Sequence, residues 1–333
     1  MRRWRVAVAG LALGAALAAP AGAQDAQEPL LDELHATLSR PWLTLGALLV
    51  TTVDLGLEDA ATSAQVRAAR LRFTGTLDGG FSYFLQANFA ASPSLLDARI
   101  GWSPDPAFTV YAGRFKTPFS RELLAYLGDL DFIARSRVVD ALAPNRQIGM
   151  QATWRIGDHA AWTLGGFTGS ENATRNEALI GVARLEGIAI PVGEGTLSVA
   201  AHGALGRDAA ITGRAYPVTY LGDGVILGAD ARFELGRLLL AGEFIRADWD
   251  PVATAETDAE GAFVTAGWMV RSDQQLLVRW DRYRAPVGGT SDYAVIGYNM
   301  WPTSAAQVQV NWLAPIEESG APHRVLVSFE LRF

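Results

Sequence analysis

The chain has 333 residues, with 28 basic and 35 acidic side chains, a formal charge of −7 and no cysteine. Such an acidic chain is poorly suited to nucleic acid, where affinity rests on neutralising phosphates, and without thiols it has neither a disulfide framework nor a thiolate metal site. Half of the residues are apolar and mean hydropathy is +0.13, yet beyond residue 23 there is no run of 18 apolar residues, which excludes transmembrane helices.

The chain opens on Met1-Arg2-Arg3-Trp4-Arg5, followed by the short apolar run Val6–Ala18 and the A-x-A site Ala21-Gly22-Ala23. This order predicts a secretory signal peptide over 1–23. The apolar run is too short to span a bilayer, which needs ~20 residues. Removing the peptide takes away three arginines and no acid, leaving 25 basic against 35 acidic side chains, or −10. Residues 24–41 fit no strand and are expected to form a short periplasmic segment ahead of a barrel over 42–333.

From there the pattern is period two. Gln147, Gly149, Gln151, Thr153 and Arg155 share one face, opposite Ile148, Met150, Ala152, Trp154 and Ile156. The stretches Ala305–Trp312 and Arg324–Phe333 alternate in the same way. Short turns are predicted at 78–80, 104–106, 157–158, 192–195, 236–237, 272–273 and 302–303. Longer loops fall near 55–64, 91–94, 116–145, 170–177, 207–224, 250–260, 285–291 and 315–322. Seven turns and eight loops separate 16 strands, an even number with both ends periplasmic, as in bacterial outer-membrane barrels. Residues 211–220 are compatible with either pairing or looping.

The predicted fold is therefore all-β: a 16-stranded antiparallel transmembrane barrel in the outer membrane of a Gram-negative bacterium. In hydrocarbon every backbone polar group needs a partner, so the sheet must close, and at this strand number the cylinder is too wide for side chains to fill. A soluble β-sandwich would also alternate, but strands over 42–333 in one domain, behind an export signal and ending in Phe333, argue against it; the terminal aromatic looks like the signal read by the barrel-assembly machinery. Trp102, Trp154, Trp249 and Trp301 near strand ends suit interfacial girdles. The expected surroundings are lipid bilayer and lipopolysaccharide.

With the apolar parity assigned to lipid, the lumen parity carries ten arginines (residues 70, 72, 99, 155, 184, 232, 271, 279, 324 and 332) against seven acids (97, 186, 230, 234, 243, 281 and 330). Ordinary pairing across a wet wall explains this as well as a pore for anions does, since basic rings favour anionic solutes. The loop 116–145 is the longest, and long loops inside compact folds are usually functional. Folded inward, it would form a constriction and bring Lys116 and Arg121 to the channel.

Three stretches carry a family resemblance. Gly113-Arg114-Phe115-Lys116-Thr117-Pro118-Phe119-Ser120-Arg121-Glu122 resembles the GQFK-x-PFS-x-E stretch of the phosphate-selective porin O and P family. Ala134-Arg135-Ser136 and Ala141-Leu142-Ala143-Pro144-Asn145-Arg146-Gln147-Ile148-Gly149 resemble its ERS-like triplet and ALAP-x-R-x-IG run. Upstream, Arg67-Ala68-Ala69-Arg70-Leu71-Arg72-Phe73-Thr74-Gly75 is similar to RRARL-x-F-x-G. The local motifs end near residue 150. The resemblance implies a porin, usually trimeric, that passes small anionic or polar solutes. Matched residue by residue, Arg67 corresponds to the first arginine of the family's pair and Asp97 to its acid; with Arg70, Arg72 and Arg99 of the lumen parity and Lys116 and Arg121 of the loop, they are the candidate anion-contacting residues. Two departures weaken phosphate selectivity: the family's second arginine is Ala68, and Leu123–Asp129 holds no lysine, Lys116 being the chain's only one. Arg67 is also out of phase with Arg70 and Arg72, so it needs a bulge or a place above the hydrocarbon to face water.

Alternatives are a substrate-specific channel, an adhesin or a barrel enzyme. Of four histidines only His202 lies on lumen parity, and no G-x-S-x-G nucleophile motif accompanies it; it is expected to be a hydrated polar residue. Asp129-x-Asp131 and Asp248-x-Asp250 lack the ligand count of a calcium loop. No cofactor, metal or catalytic residue is expected.

Overall fold

The computed structural model describes residues 40–59, 61–168, 179–208, 222–251, 257–286, 289–316 and 321–333. The predicted signal peptide and nearly all of the 24–41 segment lie outside them. The first half of the sheet comprises β1 (Thr44–Gly56), β2 (Thr62–Thr76), β3 (Phe81–Asn88), β4 (Ser94–Asp105), β5 (Phe108–Lys116), β6 (Arg146–Ile156), β7 (Ala160–Phe167) and β8 (Ile180–Val192). The second half comprises β9 (Gly195–Asp208), β10 (Gly222–Leu235), β11 (Leu238–Pro251), β12 (Thr257–Arg271), β13 (Gln274–Arg284), β14 (Thr290–Thr303), β15 (Ala306–Pro315) and β16 (Arg324–Arg332). Every strand pairs with its chain neighbours and β1 pairs with β16, closing a 16-stranded barrel. Closure leaves no edge with unpaired backbone groups.

Six of the seven short turns and the eight longer connections coincide with or overlap their predicted positions, while the turn predicted at 302–303 falls two residues later, at 304–305, because β14 runs on to Thr303. Residues 211–220 lie outside the described residues, but β9 and β10 pair directly on either side of them, from Asp208↔Gly222 inward. The predicted loop over 250–260 is shorter than expected, because β11 and β12 run into it. Arg246 pairs in register with Glu260, and Glu260 with Arg284, with Arg246–Glu260 at 3.6 Å and Arg284–Glu260 at 3.4 Å. Opposite charges facing each other across strands stabilise such an extension.

The outward face is apolar and exposed, including Leu49, Ile100, Met150, Leu205, Leu227 and Leu331. No helix among the described residues is long and apolar enough to cross a membrane; the strands supply the apolar band. Trp102 and Trp154 are exposed, but Trp249 is buried in the interior cluster. That corrects the girdle assignment for Trp249, whose parity on β11 matches the inward-facing Ala247 and Ile245.

The core lies inside the barrel, because the segment 117–145 folds into the lumen. It contains α1 (Arg121–Leu124), a 3₁₀ turn (Leu127–Asp129) and α2 (Arg137–Leu142). Val138, Val139 and Leu142 of α2 join Ile245, Phe263 and Tyr283 of the wall in one buried cluster. On the other side Leu127 and Leu130 pack on Leu48, Val50 and Ala68. A polar wall was expected to face water, but Asn299, Gln307, Gln309 and Asn311 are buried. Asn311 Oδ1 accepts from Ile133 N at 2.8 Å, Asn299 Nδ2 donates to Asp131 O at 2.9 Å and Gln309 Nε2 to Leu130 O at 3.2 Å. These side chains satisfy loop backbone groups that would otherwise be orphaned in the interior.

Candidate functional site

The loop starts where β5 ends at Lys116. Pro118 has no N–H to continue the ladder, and Phe119 turns inward to full burial. Ser120 caps α1: its Oγ accepts from Leu123 N at 3.0 Å and donates to Glu243 Oε2 at 2.9 Å. Two residues on, Glu122 Oε2 accepts from Ser136 N at 2.8 Å and Ser136 Oγ at 2.7 Å. Arg279 Nη1 reaches Glu122 Oε1 at 3.2 Å, and Arg135 Nε donates to Glu122 O at 2.9 Å. Burial pushes the Glu122 carboxyl up, opposed by Arg279 and by the two Ser136 donors. The Thr117 hydroxyl donates to Pro144 O, joining the loop's two ends.

The loop is fastened around the wall by charge as well as by packing. Arg121 Nε lies 2.9 Å from Asp230 Oδ1 of β10, Arg232 Nη1 2.8 Å from Asp131 Oδ2, and Arg332 Nη1 3.0 Å from Asp129 Oδ1. Arg137 N donates to both carboxylate oxygens of Asp281 at 3.2 Å, and its guanidinium sits 3.8 Å above the Tyr293 ring. Arg184 and Arg279 are buried among such partners at 3% and 4% exposure. On the β8–β13 arc, Arg184, Arg232 and Arg279 therefore serve the loop through ion pairs or carbonyl contacts.

The β2–β6 arc differs. Arg70, Arg72, Arg99 and Lys116 are half-buried, and among the described residues none pairs with a carboxylate within 4 Å. Arg70 has Arg146, Arg135 and Asp97 within electrostatic reach, and Lys116 faces the same three. The one ion pair in this group is Arg146 Nε–Asp97 Oδ1 at 3.1 Å. Lys116 Nζ donates to Ala125 O at 2.7 Å. Arg72 stacks 5.3 Å from the Tyr126 ring, while Arg99 lies 4.3 Å from Tyr111 and 5.0 Å from Phe84. Aromatic faces hold these guanidiniums in place without neutralising them.

Of the seven residues singled out in the sequence, the structure gathers Arg70, Asp97 and Lys116, with Arg72 and Arg99 on neighbouring inward positions. Arg67 occupies the bulge its phase demanded, since Val50 pairs with Ala68 and Thr51 with Val66, and its guanidinium donates to Ile133 O. Arg121 stands across the barrel at Asp230, apart from the cationic group. Arg135 and Arg146 belong to the group and were not among the predicted residues. Arg146 pairs in register with Lys116, and both have outward parity. They turn inward because they flank the loop, where the ladder ends and alternation no longer governs direction. His202, expected to be hydrated, has its side chain covered by the Phe119 ring at 4.2 Å and is 5% exposed.

Similar folds recur among solved outer-membrane proteins. The anion-selective porin from Comamonas acidovorans shares 15% identity, with 87% of this chain and 99% of that one aligned at a TM-score of 0.68. OmpT, an outer membrane protein of Vibrio cholerae, shares 14% over 87% and 97% at 0.64. The outer membrane channel DcaP of Acinetobacter baumannii shares 10% over 89% and 99% at 0.63. At such identities the likeness is one of fold. Comparison with curated proteins finds no match. The family model does reach the sequence itself and extends some way past the motifs that end near residue 150. Residues 52–185, the stretch that builds the cationic arc and the inward loop, match the model of the family phosphate-selective porin O and P.

Proposed function

We propose that the protein is an outer-membrane porin through which small hydrophilic solutes diffuse, with a preference for anions. The observation that carries this reading is the asymmetry of the lumen. On the β8–β13 arc, Arg184, Arg232 and Arg279 are held in ion pairs; on β2 and β4, Arg70, Arg72 and Arg99 are half-buried and, among the described residues, have no carboxylate within 4 Å. Arg135 and Arg146 add to that field; Asp97 pairs with Arg146, and Glu330 lies within electrostatic reach of Arg67 and Arg70. A wall of one sign with low-dielectric backing concentrates ions of the other sign. The Comamonas acidovorans porin of similar fold is described as anion-selective, in keeping with this reading.

Arg67, Arg70, Arg72, Asp97, Arg99 and Lys116 are the solute-contacting residues in this account, joined by Arg135 and Arg146. Arg121 is reassigned to anchoring the loop. The Vibrio cholerae protein of similar fold has a trimer form, and a homotrimer reached through the barrel-assembly machinery is part of the proposal. Inorganic phosphate is one anion the cationic group would hold, through charge-assisted contacts. The test is liposome swelling with solutes of matched size. Anionic solutes should enter faster than cationic ones; equal rates, or no entry, would refute the reading.

A further inference from the structure

Beneath the root of the loop, three side chains converge on the inner wall of β9, β10 and β11. Asp230 and Glu243 are register partners, and His202 pairs with Gly228, two residues before Asp230 on the same face. His202 Nε2 lies 3.5 Å from Asp230 Oδ2 and 3.5 Å from Glu243 Oε1. The three residues are 5%, 5% and 4% exposed. Among the described residues neither ring nitrogen of His202 nor Glu243 Oε1 has a hydrogen-bond partner. Buried polar atoms left in this state call for an occupant.

Two occupants compete, a proton and a metal ion. An imidazolium at Nε2 has one N–H there, and it cannot align on two carboxylates that are each 3.5 Å away, beyond the normal hydrogen-bond range. The same spacing is close to the edge of a tetrahedron with Zn–N and Zn–O bonds near 2.0–2.1 Å, about 3.3–3.4 Å. One ligand atom from each residue lies within 4.8 Å of the others. Charge does not forbid a cation. Arg184 Nη1 at 2.7 Å and Arg121 Nε at 2.9 Å already face Asp230, and Arg184 also pairs with Glu186 at 3.1 Å. Among the described residues the one hydrogen bond to Glu243 comes from the Ser120 hydroxyl, and Asp230 Oδ2 keeps a second lone pair beside Arg184. The Ser120 bond orients Glu243 as outer contacts orient metal ligands.

We infer that His202, Asp230 and Glu243 form a binding site for a divalent transition metal, zinc foremost, which fastens the constriction loop to the wall through Ser120. Imidazole with carboxylates suits zinc, and three protein ligands leave one position for water. The site lies on the arc across from the cationic group, so its occupancy is separable from ion selectivity.

The test uses the full chain folded in detergent, stripped with a chelator and titrated with Zn²⁺ against a chromophoric competitor. Uptake should saturate at one ion per chain. His202→Ala and Glu243→Gln should each weaken it by at least about tenfold, since losing even an outer contact costs that much, while His323→Ala leaves it unchanged. Co²⁺ should give the intense visible absorption of a tetrahedral ion, lost in His202→Ala. Heat-modifiable migration reports whether each variant folds. If a variant does not, the Co²⁺ spectrum of the unmodified protein decides. Unsaturable uptake, uptake that the folded variants retain, or a pale octahedral Co²⁺ spectrum would overturn the inference.

Discussion

Glu122 Oε2 accepts both the backbone N–H of Ser136, at 2.8 Å, and its hydroxyl, at 2.7 Å. The two conspicuous motifs of the loop are therefore the halves of one latch, with Arg279 of β13 closing on the same carboxylate at 3.2 Å. Cutting it should free the loop. Glu122→Ala leaves a buried guanidinium short of a partner and two donors unsatisfied, a cost of about 1–3 kcal/mol or more. The barrel should remain closed while trypsin gains access to Arg135 and Arg137 and single-channel noise rises. Unchanged protease resistance would mean the latch does not hold the loop.

Charge reversal should separate the two arcs. Lys116→Glu and Arg70→Glu place an acid in the cationic group around Arg135 and Arg146, and anion preference should fall or invert in each. Arg332→Glu, whose native partner is Asp129 at 3.0 Å, should shift it less. Arg121→Glu faces Asp230 with a like charge and should unseat the loop root, read as noise and lost stability. Reversal potentials of the four variants check this; equal shifts would place the selecting charges elsewhere.

Ala68 stands where the family has its second arginine, so restoring that arginine tests how this lumen is built. Ala68 is fully buried beside Leu127 and Leu130. Ala68→Arg should therefore bury an unpaired charge or displace the loop, lowering stability by several kcal/mol and leaving phosphate affinity no higher. Tighter phosphate block with intact stability would contradict the packing.

Arg135 and Arg146 supply cations that the lysine-free stretch Leu123–Asp129 does not. If they contribute to anion binding, inorganic phosphate should reduce chloride current in the native channel, and Arg135→Ala or Arg146→Ala should relieve that block. Block that survives both substitutions would remove them from the site. The measurement is single-channel current during phosphate titration.

The strand count was legible because side chains alternate with period two against lipid, and the seven short turns punctuate that pattern. Arg67 was legible as a phase error, and the bulge beside Val50 resolves it. The cationic group was only half legible. Parity finds Arg70, Arg72 and Arg99 within strands, but Lys116 and Arg146 sit at strand ends, where parity fails, and Arg135 arrives on a loop whose path depends on packing. The role of Arg121 was hidden for the same reason: its partner Asp230 is 109 residues away. His202 could not be placed because its carboxylate neighbours come from two other strands, and only their register brings them together.

The most direct measurement of the central claim is the reversal potential of the native channel in a planar bilayer under a potassium chloride gradient. The excess of cations on the β2–β6 arc predicts a potential displaced toward the chloride equilibrium value, with the displacement shrinking as salt rises and charges are screened. A potential displaced toward the potassium value would contradict it.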